Sequence, residues 1–295
     1  MKICDAHCDT VTKMYAEKAP FSENRLHIDF ERMKKYDGYT QVFAVFTPPG
    51  SGASAKEYTK NCIGLFYDEM KKNGIAICRS YSELREKNGK YSAFLSLEGA
   101  EGISELSDLP EYKRLGVFMI APTWNFRNRL ACGAMEEKDT GLTPFGKRVI
   151  TEMSRLNIIL DVSHMSERSF WEAAEIFKKP LCASHSNSKS VKDHRRNLTD
   201  EQFSAIVRSG GAVGLNYYRE FSDGSLVPHI DRFLSLGGEN SIMLGSDFDG
   251  GYPFSDGIKD ITGVEAFVKS LPYSTEIREK IAFGNFLRLI KAYDC

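Results

Sequence analysis

The sequence predicts an α/β fold, a single TIM-like (β/α)8 barrel formed by residues 1–295 as one domain, with its functional groups at the C-terminal ends of the strands. Three observations carry this. Eight short apolar runs alternate with helix-period segments from one end of the chain to the other. Several of these runs are almost continuously hydrophobic, as strands buried on both faces of a parallel sheet must be. No composition break, low-complexity tract or linker rich in Gly, Ser or Pro divides the 295 residues, a routine length for one barrel.

In chain order the strand candidates are Ile3–Ala6, Gln41–Phe46, Ser92–Leu97, Val117–Ala121, Ile158–Val162, Leu181–Ser184, Ala212–Asn216 and Ile242–Ser246. Between them, Thr143 caps a helix that Pro144 opens, with Val149, Ile150, Met153 and Leu156 at helical spacing. Ser166 caps the next, whose apolar stripe is Phe170, Ala173, Ala174 and Phe177. Thr199 and Gln202 form a capping-box pattern, Phe203, Ile206 and Val207 face inward, and Gly210-Gly211 ends that helix. The aromatic stripes read as core. Pro48–Ala55 and Arg127–Thr140 read as loops that follow strands, which puts them on the rim where barrels carry their chemistry.

The chain is 42% hydrophobic and 27% charged, with a formal net charge of −1, so it builds a large core and is not expected to bind nucleic acid. No apolar run approaches the ~18 residues that span a bilayer. A cleaved leader would remove ligand candidates that begin at His7. The expectation is a cytoplasmic protein with no membrane partner. Seven cysteines (Cys4, Cys8, Cys62, Cys78, Cys132, Cys182 and Cys295) form no CxxC pair, and their odd number reads as reduced thiols. Cys4, Cys78 and Cys182 read as small buried apolar residues.

The strand ends collect the chemistry. His7 and Asp9 follow the first strand one residue apart, on one face of an extended backbone, with Cys8 on the other. Glu98 ends the third strand, His164 follows the fifth, His185 the sixth, and Asp247 and Asp249 the eighth. Three of the six histidines thus lie at strand ends. Three histidines, an aspartate and a glutamate make a site for two zinc ions, with Glu98 able to bridge through its two oxygens. Two ions sharing a hydroxide would supply a nucleophile at neutral pH and polarise a carbonyl. Asp247 would move a proton to a leaving amine. Arg195 and Arg196, after the sixth strand, suit a substrate carboxylate. Asp161 reads as a structural or supporting contact, Asp249 as a turn residue beside Gly250-Gly251, His27 and His229 as solvated or capping, and His194 as structural.

With these residues in place, the chain resembles the membrane dipeptidase (renal dipeptidase-like) metallopeptidases of the wider amidohydrolase group. The matching stretches are Asp5-Ala6-His7-Cys8-Asp9, Leu97-Glu98-Gly99, Gly141-Leu142-Thr143-Pro144-Phe145-Gly146 and Asp161-Val162-Ser163-His164. They continue with Ser184-His185-Ser186, Arg195-Arg196-Asn197, Asp247-Phe248-Asp249-Gly250 and Gly284-Asn285-Phe286-Leu287-Arg288, in order over essentially the whole chain. The resemblance implies one zinc on His7 and Asp9, another on His164 and His185, and Glu98 bridging them. It also implies Asp247 as acid/base, Arg196 on the carboxylate of a dipeptide with Arg195 beside it, and attack by the bridging hydroxide. Dipeptides with a D-residue on the C-terminal side, and pairing into homodimers, are implied as well. Manganese, cobalt or iron would suit the same donors.

One position departs from the family. Where its better-studied members carry a substrate-contacting histidine after the fourth strand, Trp124 stands here, followed by Asn125. An indole N–H donates one hydrogen bond but carries no charge. Asn125 would replace the lost donor, or Trp124 would narrow the pocket. Loss of such a donor would cost ~10²–10³ in rate. The alternative reading keeps the barrel and both metals but hydrolyses another amide, a lactone or a cyclic substrate. The Arg195-Arg196-Asn197 segment and the Asp247-Phe248-Asp249-Gly250 ending argue against it. A third reading, a binder without turnover, is opposed by the intact Asp247 and the five ligands.

Overall fold

A computed structural model describes residues 1–294; Cys295 lies outside the described residues. The strands are β1 (Lys2–Cys8), β2 (Gly38–Phe46), β3 (Ala76–Ile77), β4 (Tyr91–Glu98), β5 (Val117–Ala121), β6 (Ile159–Leu160), β7 (Cys182–Ala183), β8 (Ala212–Leu215) and β9 (Ile242–Leu244). They pair in the order β6-β5-β4-β2-β1-β9-β8-β7, with every ladder parallel. A further parallel bridge, Asp161 to Cys182, joins the two ends of that order. The result is a nearly closed barrel of eight parallel strands with helices between them, as the sequence predicts.

The extra strand β3 pairs with β4 outside the ring. Its two half-buried residues are too few to show a period, which is why no pattern announces it. β6, β7 and β9 are shorter than the runs Ile158–Val162, Leu181–Ser184 and Ile242–Ser246, and β1 runs on to Cys8, so His7 lies within the strand rather than past its end. The register against β2 slips between Asp5 and Cys8. Asp5 Oδ1 accepts from the His7 N–H at 3.1 Å and the Ser246 N–H at 3.0 Å, which fixes the irregular turn of backbone.

The helix caps form as read. The Thr143 side chain accepts from Gly146 N–H with Pro144 opening Pro144–Arg155; Ser166 caps Glu167–Ile176; Thr199 and Gln202 complete a capping box on Asp200–Arg208. Phe203 stacks on Phe233 with ring centroids 4.0 Å apart, core as expected.

Each strand of the ring contributes to one buried cluster that includes Cys4, Val42, Phe94, Met119, Met243 and, from the helix Asn285–Lys291, Phe286. That helix closes the N-terminal end of the barrel, and each large apolar side chain buried there is worth about 1.5–3 kcal/mol. It is fastened by Arg288, which donates to the carbonyls of Gly210 and Gly211, both at 2.7 Å, and by Asn285, which donates to Ile242 O at 2.7 Å. The Gly284–Arg288 motif is therefore a structural lock. Glu98 shares the alternation of Phe94 along β4 and so faces the same interior at its open end. No helix among the described residues is long and apolar enough to cross a membrane. The six described cysteines are buried and unpaired.

Candidate metal centre

The five predicted ligands converge at the C-terminal mouth of the barrel. His7 Nε2 lies 3.5 Å from Asp9 Oδ2 and 3.5 Å from Glu98 Oε2. On the other side, Glu98 Oε1 lies 2.6 Å from His164 Nε2 and 3.6 Å from His185 Nε2. Glu98 thus turns one oxygen to each half of the cluster. Asp247 Oδ1 stands 3.8 Å from His7 Nε2, and its other oxygen accepts from Asn216 Nδ2 at 3.0 Å. His7, Asp9 and Glu98, and separately Glu98, His164 and His185, place donor atoms close enough to share one ion each. His7, His185 and Asp247 form a third such group.

Each imidazole is held from behind. Asn125 Oδ1 lies 2.8 Å from His164 Nδ1, which leaves Nε2 facing the cluster. Ser184 Oγ lies 2.7 Å from His185 Nδ1 and 3.4 Å from His7 Nδ1. Asp161 accepts from the N–H groups of Ser163 and Ser184, both at 2.9 Å, and from the Ser184 hydroxyl, the supporting role its position suggested. His164, Asp247 and Asp249 all sit at positive φ (67°, 60° and 69°), a conformation that bulky L-residues adopt where surrounding structure enforces it.

The donor set fits divalent ions. Burial pushes His164 down to about 4 and His185 well below the ordinary histidine range, so both present neutral lone pairs. Their Nε2 atoms are 2.8 Å apart, a separation that demands a proton or a cation between them. Burial raises Asp9 well above the ordinary carboxylate range, reinforced by the charge of Glu98. Burial likewise lifts Asp247 to about 6. His7 Nε2 and Asp9 Oδ1 are buried without a hydrogen-bond partner among the described residues. Three crowded carboxylates and three imidazoles with their Nε2 atoms turned inward are the hard-to-borderline donors that zinc and its neighbours accept.

The family model of the membrane dipeptidases, peptidase family M19, matches residues 1–294. The chain belongs to this family. The dipeptidase is 34% identical over 240 residues to an uncharacterized protein from the pqqA 5′ region of Klebsiella pneumoniae, covering 74% of this chain and 88% of that one. It superposes on the crystal structure of dipeptidase AC, an M19 metallopeptidase, with a TM-score of 0.91 at 27% identity, covering 100% and 99% of the two chains. It also superposes on a Rhodobacter sphaeroides metallopeptidase bound to a phosphinate mimic of L-Ala-D-Ala, with a TM-score of 0.89 at 26% identity and 99% coverage of both chains.

Above the ligands the dipeptidase opens a cavity of about 330 Å³ whose apolar wall is Phe46, Trp124, Tyr218 and Phe221. The Trp124 ring lies 5.4 Å from that of Phe46 and 6.4 Å from that of His164, on the cavity wall beside the histidine cluster. Asn125 turns its Oδ1 to His164 Nδ1, and its side chain lines the cavity. Arg196 is buried, its guanidinium 5.6 Å over the Phe221 ring; Nη2 approaches His185 O at 3.4 Å and Nε has no partner among the described residues. Burial lowers it to about 10, still a cation at neutral pH. Arg195 is exposed, with Nη1 3.4 Å from Glu136 O, and lines a second cavity of about 250 Å³ together with Arg196 and His164.

Several supporting residues escape the sequence reading. Ser184 stands within the Ser184-His185-Ser186 stretch and Asn216 ends the seventh strand candidate, but nothing in their type marks what they touch. Gly250 passes so near the site that a Cβ there would fall 2.1 Å from Asp247 Oδ1 and 2.4 Å from Asp9 Oδ2. One histidine differs from expectation. His229 is fully buried in the helix Val227–Ser235 and accepts from Ser188 N–H at 3.0 Å, because its apolar neighbours Ile230 and Phe233 pull that face inward. His27 accepts from Asp249 N–H at 2.9 Å while Asp249 Oδ1 accepts from His27 N–H at 2.8 Å. That reciprocal pair pins the turn carrying Gly250. His194 accepts from Arg196 N–H at 3.1 Å, the structural role expected of it.

Proposed function

We propose that this dipeptidase holds two zinc ions, one on His7, Asp9 and Glu98 and one on Glu98, His164 and His185, and hydrolyses dipeptides, those with a C-terminal D-residue included. The observation that supports this most directly is the divergence of the two Glu98 oxygens, 3.5 Å from His7 and 2.6 Å from His164. Ions bound there supply Lewis acidity for the scissile carbonyl and for an attacking water. Arg196 receives the substrate carboxylate through its free Nε and its paired nitrogens. Asp247 holds a proton at Oδ1 while Asn216 fixes its other oxygen, and passes that proton to the departing nitrogen. Trp124 forms the aromatic wall against which a substrate side chain packs and which keeps water out, and Asn125 orients His164. Arg195, beside Arg196 on the same cavity wall, reaches the Glu136 carbonyl. The D-residue preference is carried over from the Rhodobacter relative and its L-Ala-D-Ala mimic. We place the protein in a reducing cytoplasm, which its buried unpaired thiols suit.

The test is metal content together with hydrolysis of L–L and L–D dipeptides after zinc loading. Two ions per chain and turnover that falls about 10²–10⁴-fold in Asp247→Asn, with both ions retained, supports the reading. Two ions with no dipeptide turnover, but hydrolysis of a cyclic amide or lactone, replaces it with the alternative amidohydrolase reaction.

A further inference from the structure

Ser184 is fully buried and touches both halves of the metal cluster. A serine hydroxyl has one proton to give and two lone pairs to offer. The Asp161 carboxylate is an acceptor only, and its Oδ2 meets the Ser184 hydroxyl, so the proton is donated there. Asp161 cannot turn away, because its Oδ1 is held by the N–H groups of Ser163 and Ser184 at 2.9 Å each. The two lone pairs of Ser184 Oγ then face His185 Nδ1 at 2.7 Å and, on the other side, His7 Nδ1 and the Ser163 hydroxyl, both at 3.4 Å. An Nδ1–H on each imidazole meets that oxygen, which leaves Nε2 of each ring as the nitrogen that faces the cluster and a metal ion. The two rings lie against each other, centroids 3.8 Å apart and planes tilted by 33°.

We propose that Ser184 is a positioning residue for both metal ions at once: a single hydroxyl, aimed by Asp161, sets the tautomer and the orientation of one histidine in each half-site. Asn125 does the same for His164 alone, within one half-site. The inference rests on the binuclear reading above. It makes affinity at the two sites depend on one residue that binds neither ion.

The test is a competition titration of the full-length protein with zinc against a chelator, for the wild type, Ser184→Ala and Asn125→Ala. Loss of a group that orients a ligand typically weakens a metal ~10–100-fold. Ser184→Ala is expected to weaken both ions by that factor, and Asn125→Ala only one. A Ser184→Ala protein that keeps both affinities, or loses only one, overturns the proposal. So does Ser184→Thr behaving like the alanine variant while its metal-free melting temperature is unchanged. Should the alanine variant not fold, the unaltered protein decides the matter. With histidine labelled with ¹⁵N and both sites loaded with cadmium, metal coupling is expected at Nε2 of His7 and of His185. Coupling at Nδ1 of either overturns the proposal. A wild-type protein that binds one ion or none sinks the binuclear reading itself, a result distinct from all of these.

Discussion

Glu98 meets two histidines with two different oxygens, Oε1 at 2.6 Å from His164 Nε2 and Oε2 at 3.5 Å from His7 Nε2. Only a carboxylate offers two equivalent acceptors on one carbon. Glutamine keeps the shape but replaces one oxygen with an N–H₂ that no cation will bind. Glu98→Gln is therefore expected to drop metal content from two ions per chain to one or fewer. Dipeptide turnover should fall on the order of 10³-fold, since several kcal/mol of charge stabilisation go with the lost ion. Elemental analysis beside kcat checks it; two tightly held ions in this variant would contradict the bridging role.

The barrel and the residues that converge at its mouth were legible because both leave local marks. Buried parallel strands such as Val117–Ala121 are apolar at every position, and a histidine or glutamate directly after such a run is conspicuous. What surrounds the ligands was not legible, because it is made by contacts distant in sequence. Asn125 meets His164 across 39 residues and Ser184 meets His7 across 177, and no spacing rule links such pairs. Arg195 and Arg196 look equivalent in the chain, yet one backbone step sends Arg196 inward and Arg195 to the Glu136 carbonyl. His229 looked solvated as a lone polar letter; its burial follows from the helix face it shares with Ile230 and Phe233.

Gly250 offers a way to disturb the centre without altering a ligand. A Cβ at this position would lie 2.1 Å from Asp247 Oδ1 and 2.4 Å from Asp9 Oδ2, far inside contact distance. Asp9 and Asp247 are both buried, so neither can swing out into solvent. Gly250→Ala is expected to weaken the ion on His7 and Asp9 and leave the one on His164 and His185 in place. One ion per chain with a native circular-dichroism spectrum is the expected result. Two ions at native affinity would show that the carboxylates yield freely.

Arg196 should act on binding through the substrate's free carboxylate. Hydrogen bonds to a charged partner are worth about 1.5–3 kcal/mol, or roughly 10–100-fold in affinity. Arg196→Ala is expected to raise KM by that factor for ordinary dipeptides. For dipeptides whose C-terminus is an amide, wild type and variant should differ little. An equal loss on both substrates would mean that Arg196 supports the fold, through Phe221 and the His185 carbonyl, more than it binds substrate.

Away from the metals, Asp108 gives a pH dependence whose sign can be worked out. Burial alone would raise its carboxyl. The Lys56 ammonium and the N–H groups of Ser104 at 2.8 Å and Glu105 at 3.1 Å outweigh burial and hold it below the usual carboxylate range. The folded protein therefore binds fewer protons at Asp108 than the unfolded chain, whose aspartate titrates near ~3.9. Its contribution is full above that value and is lost as pH falls through the lower folded one. Asp108→Asn, which faces those donors with an N–H₂, should cost about 2 kcal/mol near pH 7. The cost should shrink below pH ~4, where the wild type loses the same interaction. Urea unfolding of the metal-free wild type and variant at pH 7, 5 and 3.5 measures the gap between them. Taking that difference cancels the histidines and carboxylates of the metal centre, which titrate in both proteins. A gap that stays constant down to pH 3.5 would mean that Asp108 contributes through shape and not through its charge.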